Sequence, residues 1–158
     1  RPVARHDIEI LHIDDDHRPL VAAVEALASD GEGWMNVEPG VDDEDRVEPP
    51  GMFTWFTARG PKVPVGTFVP GSDREPASVG LSHGAGRDAV ERLVDAAVAP
   101  PTDWVARQNH PKRGLVWEIH PQRVDAGAVV RLLLEGTVVL ATVPTTGGWV
   151  ATIHRSRR

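Results

Sequence analysis

The sequence predicts an α+β fold, an antiparallel sheet with about three helices packed on it. Three observations predict it. Short runs rich in aromatic and β-branched residues follow one another with no helix between them, the mark of an antiparallel sheet rather than an alternating α/β fold. Three longer stretches repeat apolar residues at helical spacing. Glycine and proline clusters separate the two kinds of segment. The expected order is helix, three strands, helix, two strands, helix and a C-terminal strand, in one domain covering residues 1–158.

Residues 1–16 read as an extended N-terminal arm, in which "HDIEILHIDDDHRP" is part-alternating and then sharply acidic. A first helix follows, with Asp16 as its N-cap and Pro19 tolerated in the first turn. Its apolar face is Leu20, Val21, Val24, Leu27 and Ala28, and "SDGEG" ends it. "WMNVE" at 34–38 reads as a strand, "MFTWFTA" at 52–58 and "VPVGTFVP" at 63–70 as two more, and "ASVGL" at 77–81 as another, four strand-like segments where the expected order counts three strands. The second helix is expected from about Gly86 to Ala97, with Ala89, Val90, Leu93, Val94 and Ala97 inward. On its outer side Asp88 and Arg92, and Arg87 and Glu91, stand four apart.

"WVARQNHPKRGLVWEI" at 104–119 has the form of a hairpin turning at His110–Gly114. Asp125 then caps a third helix, with Val130, Leu133, Leu134 and Val138 inward and Arg131, Glu135 and Thr142 as a polar stripe. Over 137–143 a strand starting after Gly136 competes with that helix; the spacing of the stripe favours the helix. "WVATIH" at 149–154 is a short last strand, and 155–158 a frayed tail.

Composition narrows the function classes. With no cysteine among 158 residues, disulfides, thiolate zinc sites and cysteine nucleophiles are excluded, and a cytoplasmic setting is the expectation. No apolar run approaches the roughly 20 residues that cross a bilayer, so no membrane partner is expected. The chain opens on Arg1 rather than methionine, which leaves room for a leader ahead of it. The net charge of −6 is uneven: residues 7–48 hold fourteen Asp or Glu against two Arg, and 49–158 hold nine against thirteen Lys or Arg. The basic residues are scattered rather than striped, which argues against nucleic acid.

The order of elements is similar to the YbjN and type III secretion chaperone folds, small and usually dimeric modules that bind other proteins. That resemblance is one of topology, spans most of the chain and includes no diagnostic motif. It implies a non-enzymatic, chaperone-like homodimer with a protein partner. From residue 77 onward the order also fits a ferredoxin-like split βαβ. In wording, "GWMNVEP", "PPGMFTWFTARGPKVPV" and "NHPKRGLVWEI" resemble segments of an uncharacterised small-protein family of high-GC actinobacteria. This second resemblance implies a cytosolic bacterial protein and brings no activity with it.

Several short stretches raise chemistry. Gly80, Ser82 and Gly84 spell G-x-S-x-G, the nucleophile elbow of serine hydrolases. Asp103 with His120, or Asp125 with His154, could complete a triad, but no HGGG-like loop or parallel crossover precedes Ser82. The simpler expectation is a turn whose glycines redirect the backbone and whose serine caps free amides. A weaker alternative is an anion site: His83, Gly84, Gly86 and Arg87 at a helix start, joined by His110, Lys112 and Arg113 if the two turns share a sheet edge. Neither a Walker nor a dinucleotide fingerprint is present, so no cofactor is expected. "HIDDDH" places His12 and Asp14 on one face, but no second cluster completes a metal shell. Of the five tryptophans, Trp34, Trp55, Trp104, Trp117 and Trp149, all are expected on strands, and Trp55 is the favoured partner-binding residue because Phe53 would share its face.

Overall fold

In the computed structural model, residues 6–46 and 60–156 are described; the strand expected at 52–58, with Trp55 and Phe53, lies outside them. Seven antiparallel strands form one sheet among the described residues: β1 (His6–Ile13), β2 (Trp34–Val41), β3 (Val65–Val69), β4 (Ala77–Ser82), β5 (Val105–His110), β6 (Gly114–Ile119) and β7 (Thr145–Ser156). Helices α1 (Arg18–Asp30), α2 (Ala89–Asp95) and α3 (Ala126–Leu140) form a layer on one face. The fold is α+β, in the order the sequence predicts.

The strand order is β1-β7-β2-β3-β4-β6-β5. The last strand thus slots between β1 and β2, which run parallel to each other and are joined by α1. In the same way β6 lies between β4 and β5, which α2 connects. That second unit is the split βαβ anticipated from residue 77, but β7 pairs with β1 and β2 instead of returning to β4.

Alternation sets which side chains meet the helices. In β2 Met35, Val37 and Val41 are buried, while Trp34, Asn36 and Glu38 face the open side of the sheet. Phe68, Val79, Leu81, Leu115, Trp117, Ile119, Ala151 and Ile153 extend the buried face across the other strands. The α3 helix lies over β2, β3 and β4 and between α1 and α2, so it is apolar on most sides. Gly136 does not break it; a methyl there would stand 2.9 Å from Leu81 Cδ1, so glycine lets the helix sit low on the sheet. Asp125 caps α3 as expected, accepting from the Ala128 N–H at 3.2 Å.

The elements differ from expectation at their ends. The N-cap of α1 is His17, without a side-chain bond; Asp16 instead accepts from the Arg18 N–H and grips its guanidinium, which lowers the Asp16 carboxyl to about 2. The α2 helix is short, preceded by a 3-10 turn at Gly86–Asp88, and only Ala89 and Leu93 are buried. Val90, Val94 and Ala97 are exposed, and Arg92 reaches the Val139 carbonyl instead of Asp88. Val138 is exposed too, and α3 stops at Leu140, two residues short of the stripe's end at Thr142.

At both ends of the described residues the chain forms strand where an arm and a frayed tail were expected. Residues 6–13 are a full strand, and Arg155 and Ser156 pair with Asp7 and His6. Trp104 is buried in the turn before β5 rather than on it.

Candidate functional site

The G-x-S-x-G stretch leaves β4 at Ser82, the last residue of the strand. Ser82 and Val65 are register partners, and the hydroxyl closes their pairing. It accepts from the Val65 N–H at 3.0 Å and donates to the Val65 carbonyl at 3.3 Å. A nucleophile elbow instead holds its serine in a strained turn. Among the described residues Ala97 alone of the non-glycines has a positive φ, and it lies beyond α2. Three of the four triad partners nominated from sequence are occupied elsewhere. Asp125 caps α3, His120 Nδ1 accepts from the Gln122 N–H, and His154 stacks on Trp34 at 4.4 Å. Ser82 is a main-chain cap.

The glycines divide the work of the turn. Positive φ falls on Gly86 (φ 80), not on Gly80 or Gly84. Gly84 serves close approach: a methyl there would stand 2.8 Å from the Pro61 carbonyl oxygen. Gly60 is tighter still, because its Cβ would lie 2.2 Å from the His83 carbonyl and 2.9 Å from that of Lys112. Its N–H donates to the Pro111 carbonyl at 3.3 Å. The turn after β4 and the β5–β6 turn therefore do meet, with residues 60–61 wedged between them.

Of the candidate anion ligands at that meeting, His83 and His110 are engaged with the main chain. His83 is completely buried, and its Nδ1 accepts from the Ala85 N–H at 3.2 Å, which leaves the proton on Nε2 without a hydrogen-bond partner among the described residues. Burial, and then the charge of Arg92, lowers its pKa, so the imidazole is neutral and carries no charge to offer an anion. His110 closes its own turn, its Nδ1 accepting from the Lys112 and Arg113 N–H groups at 3.0 Å each. Arg87, Lys112 and Arg113 are exposed and Gly84 is buried, while α2 spans only seven residues. Among the described residues no three His, Asp or Glu side chains gather as a metal site, and His12 and Asp14 belong to no such group. No helix is long and apolar enough to cross a membrane.

An open groove of about 780 Å³ lies beside β5 and β6, lined by Asp103, Arg107, Glu118, His120 and Arg123. Within it Arg107 binds Glu118 at 2.8 Å. The tryptophans within the described residues are also engaged. Trp117 and Trp104 are buried, Trp34 stacks on His154, and Trp149 donates to the Leu134 carbonyl at 3.1 Å.

What remains open is β1. Among the described residues it pairs with β7 alone and ends the sheet. All eight residues pair in continuous register, without a bulge. Ile8 and Ile10, on the face away from the helices, are 61% and 60% exposed. Asp7 and Glu9 project from the helix-side face and are exposed as well. Half of the strand's N–H and C=O groups point away from β7, as in any edge strand. The sequence carried a signal for this edge: Ile8 and Ile10 alternate with Leu11 and Ile13 on opposite faces, and helices on one side can cover only one set.

Compared with protein-family models, curated proteins and solved structures, the chain matches none.

Proposed function

We propose that the protein is a non-enzymatic protein-binding module that takes up an extended segment of a partner as an additional strand along β1. One observation carries the reading: among the described residues β1 is an unbulged eight-residue edge strand that displays Ile8 and Ile10 at 61% and 60% exposure. Monomeric proteins usually blunt such an edge, and a strand left open is a template for another chain. Main-chain hydrogen bonds would supply affinity, and alternate side chains specificity. The engagement of Ser82, His83 and His110 in local caps leaves this edge as the surface best suited to a partner.

The test is selection from a displayed library of random extended peptides. Wild type is expected to enrich binders that slow amide exchange at residues 6–13. Ile8→Lys with Ile10→Lys should abolish enrichment while stability changes by no more than about 0.5 kcal/mol, as at other surface sites. Equal enrichment by wild type and double variant would overturn the reading.

A further inference from the structure

We infer that the strand β1 receives is the β1 of a second copy of the chain, paired antiparallel about a twofold axis at Ile10. The inference rests on strand addition at β1 and names the occupant. Side chains along β1 separate by parity: Ile8, Ile10 and His12 point to the open face of the sheet, and Asp7, Glu9, Leu11 and Ile13 to the helix side. A twofold axis perpendicular to the sheet keeps each face on its own side, so residues that meet across it share parity. With the axis at Ile10, that residue stands opposite its own copy and Ile8 opposite His12. On the helix side Glu9 meets Leu11 and Asp7 meets Ile13. The exposed isoleucines cover one another, and no carboxylate of the strand lies directly opposite another. The two Glu9 side chains fall on a diagonal, each with its own Arg155 at 3.5 Å.

Charge along the β1–β7 ladder points to the same occupant. In the sequence Arg1 and Arg5 precede β1, and Ser156, the register partner of His6, stands between Arg155 and the pair Arg157 and Arg158. At the other end the chain leaves β1 into Asp14, Asp15 and Asp16, of which Asp16 is matched by Arg18 at 2.8 Å. The ladder is therefore basic at one end and acidic at the other. Antiparallel pairing of two copies brings the basic end of each against the acidic end of its neighbour; parallel pairing would set like ends together. One added strand pair buries less than the roughly 1,200 Å² of a stable interface, so the expected Kd is on the order of 100 µM. In dilute solution β1 stays open to a competing segment.

Sedimentation equilibrium and amide exchange from about 5 µM to about 1 mM test the inference, a range that brackets the expected Kd. A monomer–dimer equilibrium should appear, with exchange at residues 6–13 slowing as concentration rises. Ile10→Lys sets lysine against lysine on the axis and should weaken the dimer about tenfold or more. Asp15→Lys makes the acidic end of the ladder more basic and should weaken it about fivefold at low salt, a difference that about 1 M salt removes. A dimer that Asp15→Lys leaves equally tight would overturn the antiparallel pairing, and so would one that leaves exchange at 6–13 unchanged. An eight-residue peptide of alternating valine and threonine separates this inference from the reading beneath it. If the chain stays monomeric at about 1 mM while that peptide slows exchange at 6–13, the second copy is wrong and strand addition survives. If neither the peptide nor concentration protects β1, both readings fall.

Discussion

At one edge of the sheet, β5 is a six-residue strand whose register slips between Ala106 and Gln108; at the other, β1 runs eight residues in unbroken register. The surroundings differ as much. Gln108 bonds back to the carbonyls of Arg113 and Gly114, Arg107 is tied to Glu118, and the hairpin tip is wedged by Gly60. Among the described residues β1 pairs with no strand but β7. A bulged, charged edge resists another strand, and a regular one displaying isoleucines invites one. The contrast teaches that openness here is a local property, since both strands belong to the same sheet and rest on the same core.

The largest effects separate what β1 leans on from what β1 displays. Ile153 of β7 is fully buried beneath the helices, and Ile153→Ala is expected to cost about 2–5 kcal/mol in urea unfolding. Ile8→Ala, one strand away but exposed, should stay within about 0.5 kcal/mol. A large loss from Ile8→Ala would mean that its side chain is part of the fold and that β1 is no free edge.

On the β5 side the sensitive point is Gly60. A methyl there meets the His83 carbonyl at 2.2 Å, and backbone must move to admit it. Gly60→Ala should cost about 1–3 kcal/mol and speed amide exchange at both turns it separates. Peptide uptake at β1 should not change.

A pH titration reads the same wedge. The buried imidazole of His83 has a pKa held below its ordinary 6.5. The unfolded chain therefore binds that proton first, and stability rises with pH wherever it does so. This contribution is whole above about 6.5 and is lost as pH falls from there through the depressed folded value. In urea titrations between pH 7.5 and 5, His83→Phe should show a shallower loss than wild type. Equal slopes would mean that folding leaves the His83 pKa unchanged, and a steeper loss in the variant that the site favours the charged form.

Where local chemistry decides, the fold was legible in the residues. The Asp125 cap, the hairpin around His110–Gly114 and the apolar face of α1 all appear as spacing and turn residues predict. The ends of the chain were not legible. Whether residues 6–13 dangle or pair depends on a strand about 140 residues away, and nothing local records that contact. The exposure of Val90 and Val94 was hidden for a related reason: α2 is too short to bury a full stripe, although its apolar spacing suits one. Of the candidate chemistry, the modest role of Ser82 was foreseeable from its turn. The meeting of the two turns at residue 60 needed coordinates.

The smallest effect tests whether β5 is guarded by its bulge or by charge. Arg107 and Glu118 lie 2.8 Å apart with side chains 58% and 32% exposed, so solvent screens much of their attraction. Arg107→Ala should lower stability by about 0.2–1 kcal/mol, less in high salt, and leave the protein monodisperse by light scattering. The irregular register, set by backbone, would go on refusing an added strand. Association appearing with Arg107→Ala, and suppressed again by Arg107→Lys, would instead assign the guarding of this edge to charge. Register would then not separate the two edges, and head-to-tail pairing of the two would become the association to look for.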